Sequence, residues 1–275
     1  MRSCATSKLG KYVVAVLATS LSVMLAPESV RGQISLTDAN SQVDITTNSY
    51  AGMHNWTIDG TDVLAQQWFW YRVGNVGGQF SLDTLPATYN LLAPSILKAS
   101  FTGATFVVTM TLNLSGGSVG SGNSDLSLQF KIQNTGSTNL NFHFFEYSNF
   151  DLGGVPGDSV SFLNSNTVAQ TGSVGSLLET VATGASGFLA PMHHEANLLP
   201  NTLNSLTSGS TYFLNDTNSA GPGDVTWAYE WDVNVAPGSS TQISKDINLQ
   251  IPEPGTFALV FLGISGLWVL RKRRV

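Results

Sequence analysis

The sequence predicts an all-β fold, an antiparallel β-sandwich of the jelly-roll kind or similar, over residues 33–250. Three observations predict it. Several runs alternate apolar and polar residues with period two over about ten positions, the pattern of a strand with one dry face and one wet face. Turn-forming pairs such as Asp59-Gly60, Gly77-Gly78, Gly116-Gly117 and Gly153-Gly154 separate those runs. Helical periodicity is weak throughout, which favours antiparallel pairing in two packed sheets over helix-linked parallel strands.

From the N-terminus, Arg2, Lys8 and Lys11 precede an apolar stretch at 12–26, the layout of a secretory signal peptide over residues 1–32. Cleavage could follow Ala26 or Gly32. Cys4, the single cysteine, lies before the apolar stretch and leaves with the signal. The exported body then has no disulfides and depends on core burial.

Within the body, short strands are expected at 34–36, 43–47, 55–58, 67–73, 96–101, 139–147 and 159–163. The long strands are clearer. Phe106, Val108, Met110, Leu112 and Leu114 alternate with Thr105, Thr109, Thr111 and Asn113. Leu126, Leu128, Phe130 and Ile132 repeat the pattern. Val225, Trp227, Tyr229, Trp231, Val233 and Val235 form a dry face, with Glu230, Asp232 and Asn234 between them. After the turn at 236–239, Ile243, Ile247 and Leu249 mark a last strand over 241–251. Residues 134–139 suit a hairpin connection, and 191–199 is the one place for a short helix. No internal repeat and no proline- or serine-rich linker divides the body, so one domain is expected.

Between residues 33 and 250 the cations are Arg72, Lys98, Lys131 and Lys245, far fewer than the acids. That balance disfavours nucleic acid, whose phosphates would go unneutralised. It suits a solvated acidic surface, or binding of divalent cations.

Candidate chemistry is sparse. The histidines are His54, His143, His193 and His194. Adjacent histidines on a strand point to opposite faces, and no HExxH helix supports zinc. His143, within Phe142-His143-Phe144-Phe145, is expected to be an ordinary half-buried histidine. No GxSxG elbow supports a Ser-His-Asp triad. Glycoside hydrolysis needs two carboxylates roughly 5–10 Å apart. Glu146, Asp151, Glu230 and Asp232 could supply such a pair, although acids on wet strand faces are ordinarily surface. The expectation is therefore a protein that is not an enzyme and needs no cofactor. Structural calcium is the exception: the acidic, glycine-rich loops 151–158 and 215–224 offer Asp151, Asp158 and Asp224 as ligands, without EF-hand spacing. In Gln67-Trp68-Phe69-Trp70-Tyr71-Arg72, Trp68 and Trp70 share one face and Phe69 and Tyr71 the other. Such a strand is sandwiched in the core or offers Trp68 and Trp70 for sugar stacking.

Residues 251–275 stand apart from the body. Pro252-Glu253-Pro254 fixes an extended backbone. Residues 256–270 carry no charge, and Arg271, Lys272, Arg273 and Arg274 close the segment. As a helix the apolar run would span roughly 22 Å, somewhat short of a ~30 Å hydrocarbon core. Trp268 and the snorkelling cations extend its reach, and the positive-inside effect holds the basic end in the cytoplasm.

This tripartite tail resembles the PEP-CTERM sorting signal of Gram-negative bacteria. The resemblance implies recognition of Pro252, Glu253 and Pro254 by exosortase, a membrane peptidase, with the inner membrane as first anchor. A plain, unprocessed anchor is the alternative. The family's link to exopolysaccharide and biofilm implies an exported cell-envelope or extracellular-matrix protein with a structural or adhesive role. A carbohydrate-binding module or an extracellular glycan hydrolase are the alternatives for the body.

Overall fold

A computed structural model describes residues 32–153, 157–184 and 187–252. The expected signal peptide, the apolar run, the basic end, Glu253 and Pro254 lie outside them. No helix among the described residues is long and apolar enough to cross a membrane.

Two nine-stranded sheets pack face to face, and every strand pair in them is antiparallel. The first sheet runs β1 (Gln33–Asp38), β2 (Ser41–Thr46), β3 (Met53–Ile58), β5 (Leu64–Val73), β11 (Leu140–Phe150), β17 (Val225–Val235) and β15 (His193–Leu198). The two-residue strands β4 (Thr61–Asp62) and β6 (Phe80–Ser81) attach to β3 and β5. The second sheet runs β16 (Ser219–Gly223), β12 (Asp158–Asn164), β13 (Thr167–Thr171), β14 (Ser176–Val181), β18 (Ser240–Gln250), β10 (Asn123–Asn134), β9 (Phe106–Gly116), β8 (Ile96–Thr102) and β7 (Ala87–Ala93).

The expected dry faces meet between the sheets. Phe69 of β5 stacks on Phe144 of β11 at 5.8 Å, and Phe130 of β10 closes on both, at 4.6 and 5.0 Å. Phe150 stacks on Trp227 at 5.2 Å. This aromatic layer also contains charge. Lys245 of β18 pairs with Glu146 of β11, and with Glu179 of β14 at 3.3 Å. Gln67 Nε2 donates to Glu146 Oε1 and Ser148 Oγ at 2.8 Å, and Trp227 Nε1 donates to Glu179 Oε2 at 3.3 Å. All of these groups are fully buried or nearly so.

Two expectations fail where β15 meets β17. Residues 191–199 are not a helix: His193–Leu198 pairs with β17, and the helix α1 (Asn201–Thr207) follows the strand. The sequence Ala196-Asn197-Leu198-Leu199 fits either period, and pairing to β17 decides it. Nor is the outer face of β17 wet along its length, since Thr226, Ala228 and Glu230 are buried. A strap formed by α1 and residues 208–217 packs against this strand and reaches Glu230 through Leu214. Trp68 and Trp70 are likewise at most 1 % exposed, so neither indole offers a face for sugar stacking.

Candidate functional site

The strap covers a polar floor on the outer face of the first sheet. Register builds that floor. His143 lies opposite Arg72 on one side and Asp232 on the other, and Glu230 lies opposite His193. Side chains two apart on a strand share a face, so Arg72, His143, Glu230, Asp232 and His193 come together.

His143 Nδ1 contacts Asp232 Oδ1 at short range and lies 3.6 Å from Glu230 Oε1. Beneath them Arg72 Nη2 lies 3.8 Å from Glu230 Oε1. The strap completes the frame: Leu214 N–H donates to Glu230 Oε2 at 2.9 Å, and Arg72 Nη1 donates to the Tyr212 carbonyl at 2.8 Å. The Arg72 guanidinium lies 4.4 Å from the Phe213 ring and 5.3 Å from Phe145. Glu195, fully buried, accepts from Thr202 Oγ1, Tyr212 Oη and Asn215 N–H, which staples the strap down.

Exposure divides the cluster. The side chains of Arg72 and Glu230 are buried, whereas Asp232 is 24 % exposed, His193 33 % and Asp216 51 %. Phe213 is 42 % exposed and packs edge-on against His143 at 5.6 Å. His193 Nδ1 lies 3.0 Å from Asp216 Oδ2.

The charges are pushed apart. For Asp232, burial is the largest single influence and favours the neutral acid, but the hydrogen bond and charge of His143, with smaller contributions from Glu230 and His193, together outweigh it and hold the carboxyl below its ordinary range. Burial works against the imidazolium of His143, yet Asp232 and Glu230 stabilise it and raise its pKa. His193 is raised against the same desolvation, chiefly by Asp216. Glu230 goes the other way, because burial outweighs the donors facing it. The outcome is a partly exposed carboxylate kept ionised and a partly exposed imidazole kept protonated, the charge states of a proton acceptor and a proton donor.

One ligand atom each from His143, Glu230 and Asp232 lies within 4.8 Å of the others, close enough to grip a cation. Arg72 already supplies positive charge at Glu230, so the set is better suited to holding protons. Of the carboxylates expected for hydrolysis, Glu230 and Asp232 are here, while Glu146 faces the core and Asp151 sits beyond β11. The calcium candidates lie elsewhere. Asp158 Oδ2 accepts from Leu152 N–H and Gln170 Nε2, and burial, then the charges of Asp151 and Asp224, raise its pKa. Arg72 and His143 were not expected in a site. Their signal is faint: each is the lone basic residue on a strand otherwise apolar or aromatic over 68–73 and 142–145.

Sheet order defines a two-sheet antiparallel sandwich, a fold also found among solved structures. A bacterial glucoamylase complexed with acarbose superposes with a TM-score of 0.55 and 10 % identity, over 85 % of this chain and 34 % of that one. A protein described as an aldose 1-epimerase from Escherichia coli K12 matches with a TM-score of 0.50 and 10 % identity, over 80 % of this chain and 99 % of that one. This chain thus spans about a third of the glucoamylase's length, and at such identity the likeness shows the fold alone. No curated protein matches the sequence. These neighbours, named for their activities, overturn the expectation that the chain is not an enzyme. Residues 250–274 match the PEP-CTERM protein-sorting motif. The tail therefore carries that sorting motif, which implies export to the envelope and processing by an exosortase-type membrane peptidase.

Proposed function

We propose that the β-domain acts on carbohydrate at the outer face of its first sheet, with Asp232 as base and His193 as acid. The observation that supports this most directly is the pair itself: both groups are partly exposed and held in opposite charge states, Asp232 by the buried His143 and His193 by the exposed Asp216. His143, Glu230 and Arg72 act as positioning residues that set the charge of Asp232. The reaction favoured is proton transfer to and from a sugar oxygen. Two-carboxylate glycoside hydrolysis fits less well, because Glu230 and Asp232 converge on one imidazole and Glu230 is buried. Folds shared with a glucoamylase and an aldose 1-epimerase support the substrate class. The sorting tail suggests that the sugar belongs to the host's envelope or exopolysaccharide.

The test uses the body carrying Asp232→Asn or His193→Asn, offered mono- and oligosaccharides from the host polysaccharide. Binding is followed by calorimetry, and anomer interconversion and reducing-end release by NMR. Each substitution is expected to lower turnover roughly 100- to 10,000-fold, with smaller effects on binding. Wild-type activity should rise with pH as Asp232 ionises and fall above the raised pKa of His193. Full turnover in both variants, or no saccharide turned over by the wild type, would sink the reading.

A further inference from the structure

We propose that the end of the sandwich surrounding Ile251 is a contact surface for the membrane peptidase that processes the tail. The inference is independent of the saccharide site and rests on the sorting motif.

The motif leaves the fold without a spacer. Gln250, the last residue of β18, is paired on both sides, with Asn123 of β10 and Ser176 of β14. Ile251 is still part of the fold: its N–H donates to the Gly122 carbonyl at 2.7 Å, and its side chain is buried. Two glycines make room for it. At Gly122, with φ +64°, a Cβ would come within 1.6 Å of the Ile251 carbonyl oxygen. At Gly175 it would come within 2.5 Å of Ile251 Cδ1. Pro252, the first motif residue, is exposed.

An extended residue spans at most ~3.6 Å, so three motif residues reach only about 11 Å beyond Ile251. A peptidase that grips them must press against what surrounds that point. The surroundings are the turns at 117–122 and 172–175, which display Val119 at 87 % and Val174 at 38 % exposure. Asp59 holds the first turn in place by accepting from Gly120 N–H at 2.6 Å and Gly122 N–H at 2.9 Å. The residues of both turns are uncharged on an otherwise acidic body, which suits a protein surface close to the membrane. A shallow cleft of about 640 Å³, lined in part by Gly117, Asn123, Ser176 and Gln250, opens beside the exit.

The full chain is reconstituted in membranes with its peptidase, and tail removal is timed by mass. Val119→Asp with Val174→Asp is expected to slow removal at least fivefold with an unchanged melting temperature. Ten Gly/Ser residues inserted between Ile251 and Pro252 should restore the rate in that variant. If the double aspartate variant melts lower, Val119→Ser with Val174→Ser should still slow removal about twofold. Unchanged removal in the folded variants overturns the proposal. So does weaker binding to peptidase-free vesicles with unchanged removal, which would make the surface a lipid contact. Replacing Pro252, Glu253 and Pro254 by alanine must stop removal altogether; continued cutting would reject the sorting motif itself and the proposal with it.

Discussion

Lys245 is one of four cations between residues 33 and 250, and it is buried between two carboxylates. A buried charge without a partner costs several kcal/mol, so the three groups stand or fall together. Lys245→Met leaves Glu146 and Glu179 facing each other in the core. Urea unfolding should show a loss of about 3–5 kcal/mol. Burial, then the neighbouring Glu146 carboxylate, pushes Glu179 up to about 8, against 4.5 in an unfolded chain. In the folded state its proton is held more tightly, so this contribution to stability is complete below pH 4.5 and is lost as pH rises towards 8. Thermal melts of the body should therefore fall between pH 5 and pH 8, and Glu179→Gln should flatten that part of the curve. An unaltered slope in the variant would remove Glu179 from the account.

At the scale of elements, the strap is held by specific polar contacts together with the buried Leu206 and Leu214. Glu195, Glu230 and Arg72 bind it from below, and Gly77 N–H donates to Thr211 Oγ1 at 2.8 Å. A Cβ on Gly78 would come within 2.5 Å of the Gly209 carbonyl carbon, so the two backbones touch. Gly78→Ala should lift the strap: amide exchange would rise across 206–214 while the sheets keep their protection. Uniform protection in the variant would show that the strap is held by something else. The strands themselves were largely legible, because period two survives wherever one face is dry, as at Phe106 to Leu114. What lies over the other face was not. Glu230 looks like a surface residue in Tyr229-Glu230-Trp231 until Leu214, 16 residues earlier, is folded onto it. Strand order is equally nonlocal. Arg72, His143 and Asp232 meet only because β5, β11 and β17 are neighbours, and nothing near any of the three residues encodes that. Trp68 and Trp70 misled for the same reason, since aromatic side chains announce burial or binding alike.

For the whole molecule, the second sheet depends on its last strand. β18 joins β14 to β10, so four strands lie on either side of it. A chain ending after Pro252 should melt close to the value of the longer body. One ending at Ala236 should not fold, because the second sheet would be left in two halves with unpaired inner edges. Circular dichroism and proteolysis distinguish the outcomes; a compact, resistant product from the shorter chain would refute the central role of β18. In a chain that emerges amino end first on the far side of a membrane, the keystone strand is also the last to arrive. In such a chain folding must wait until nearly everything ahead of the sorting motif has been threaded through.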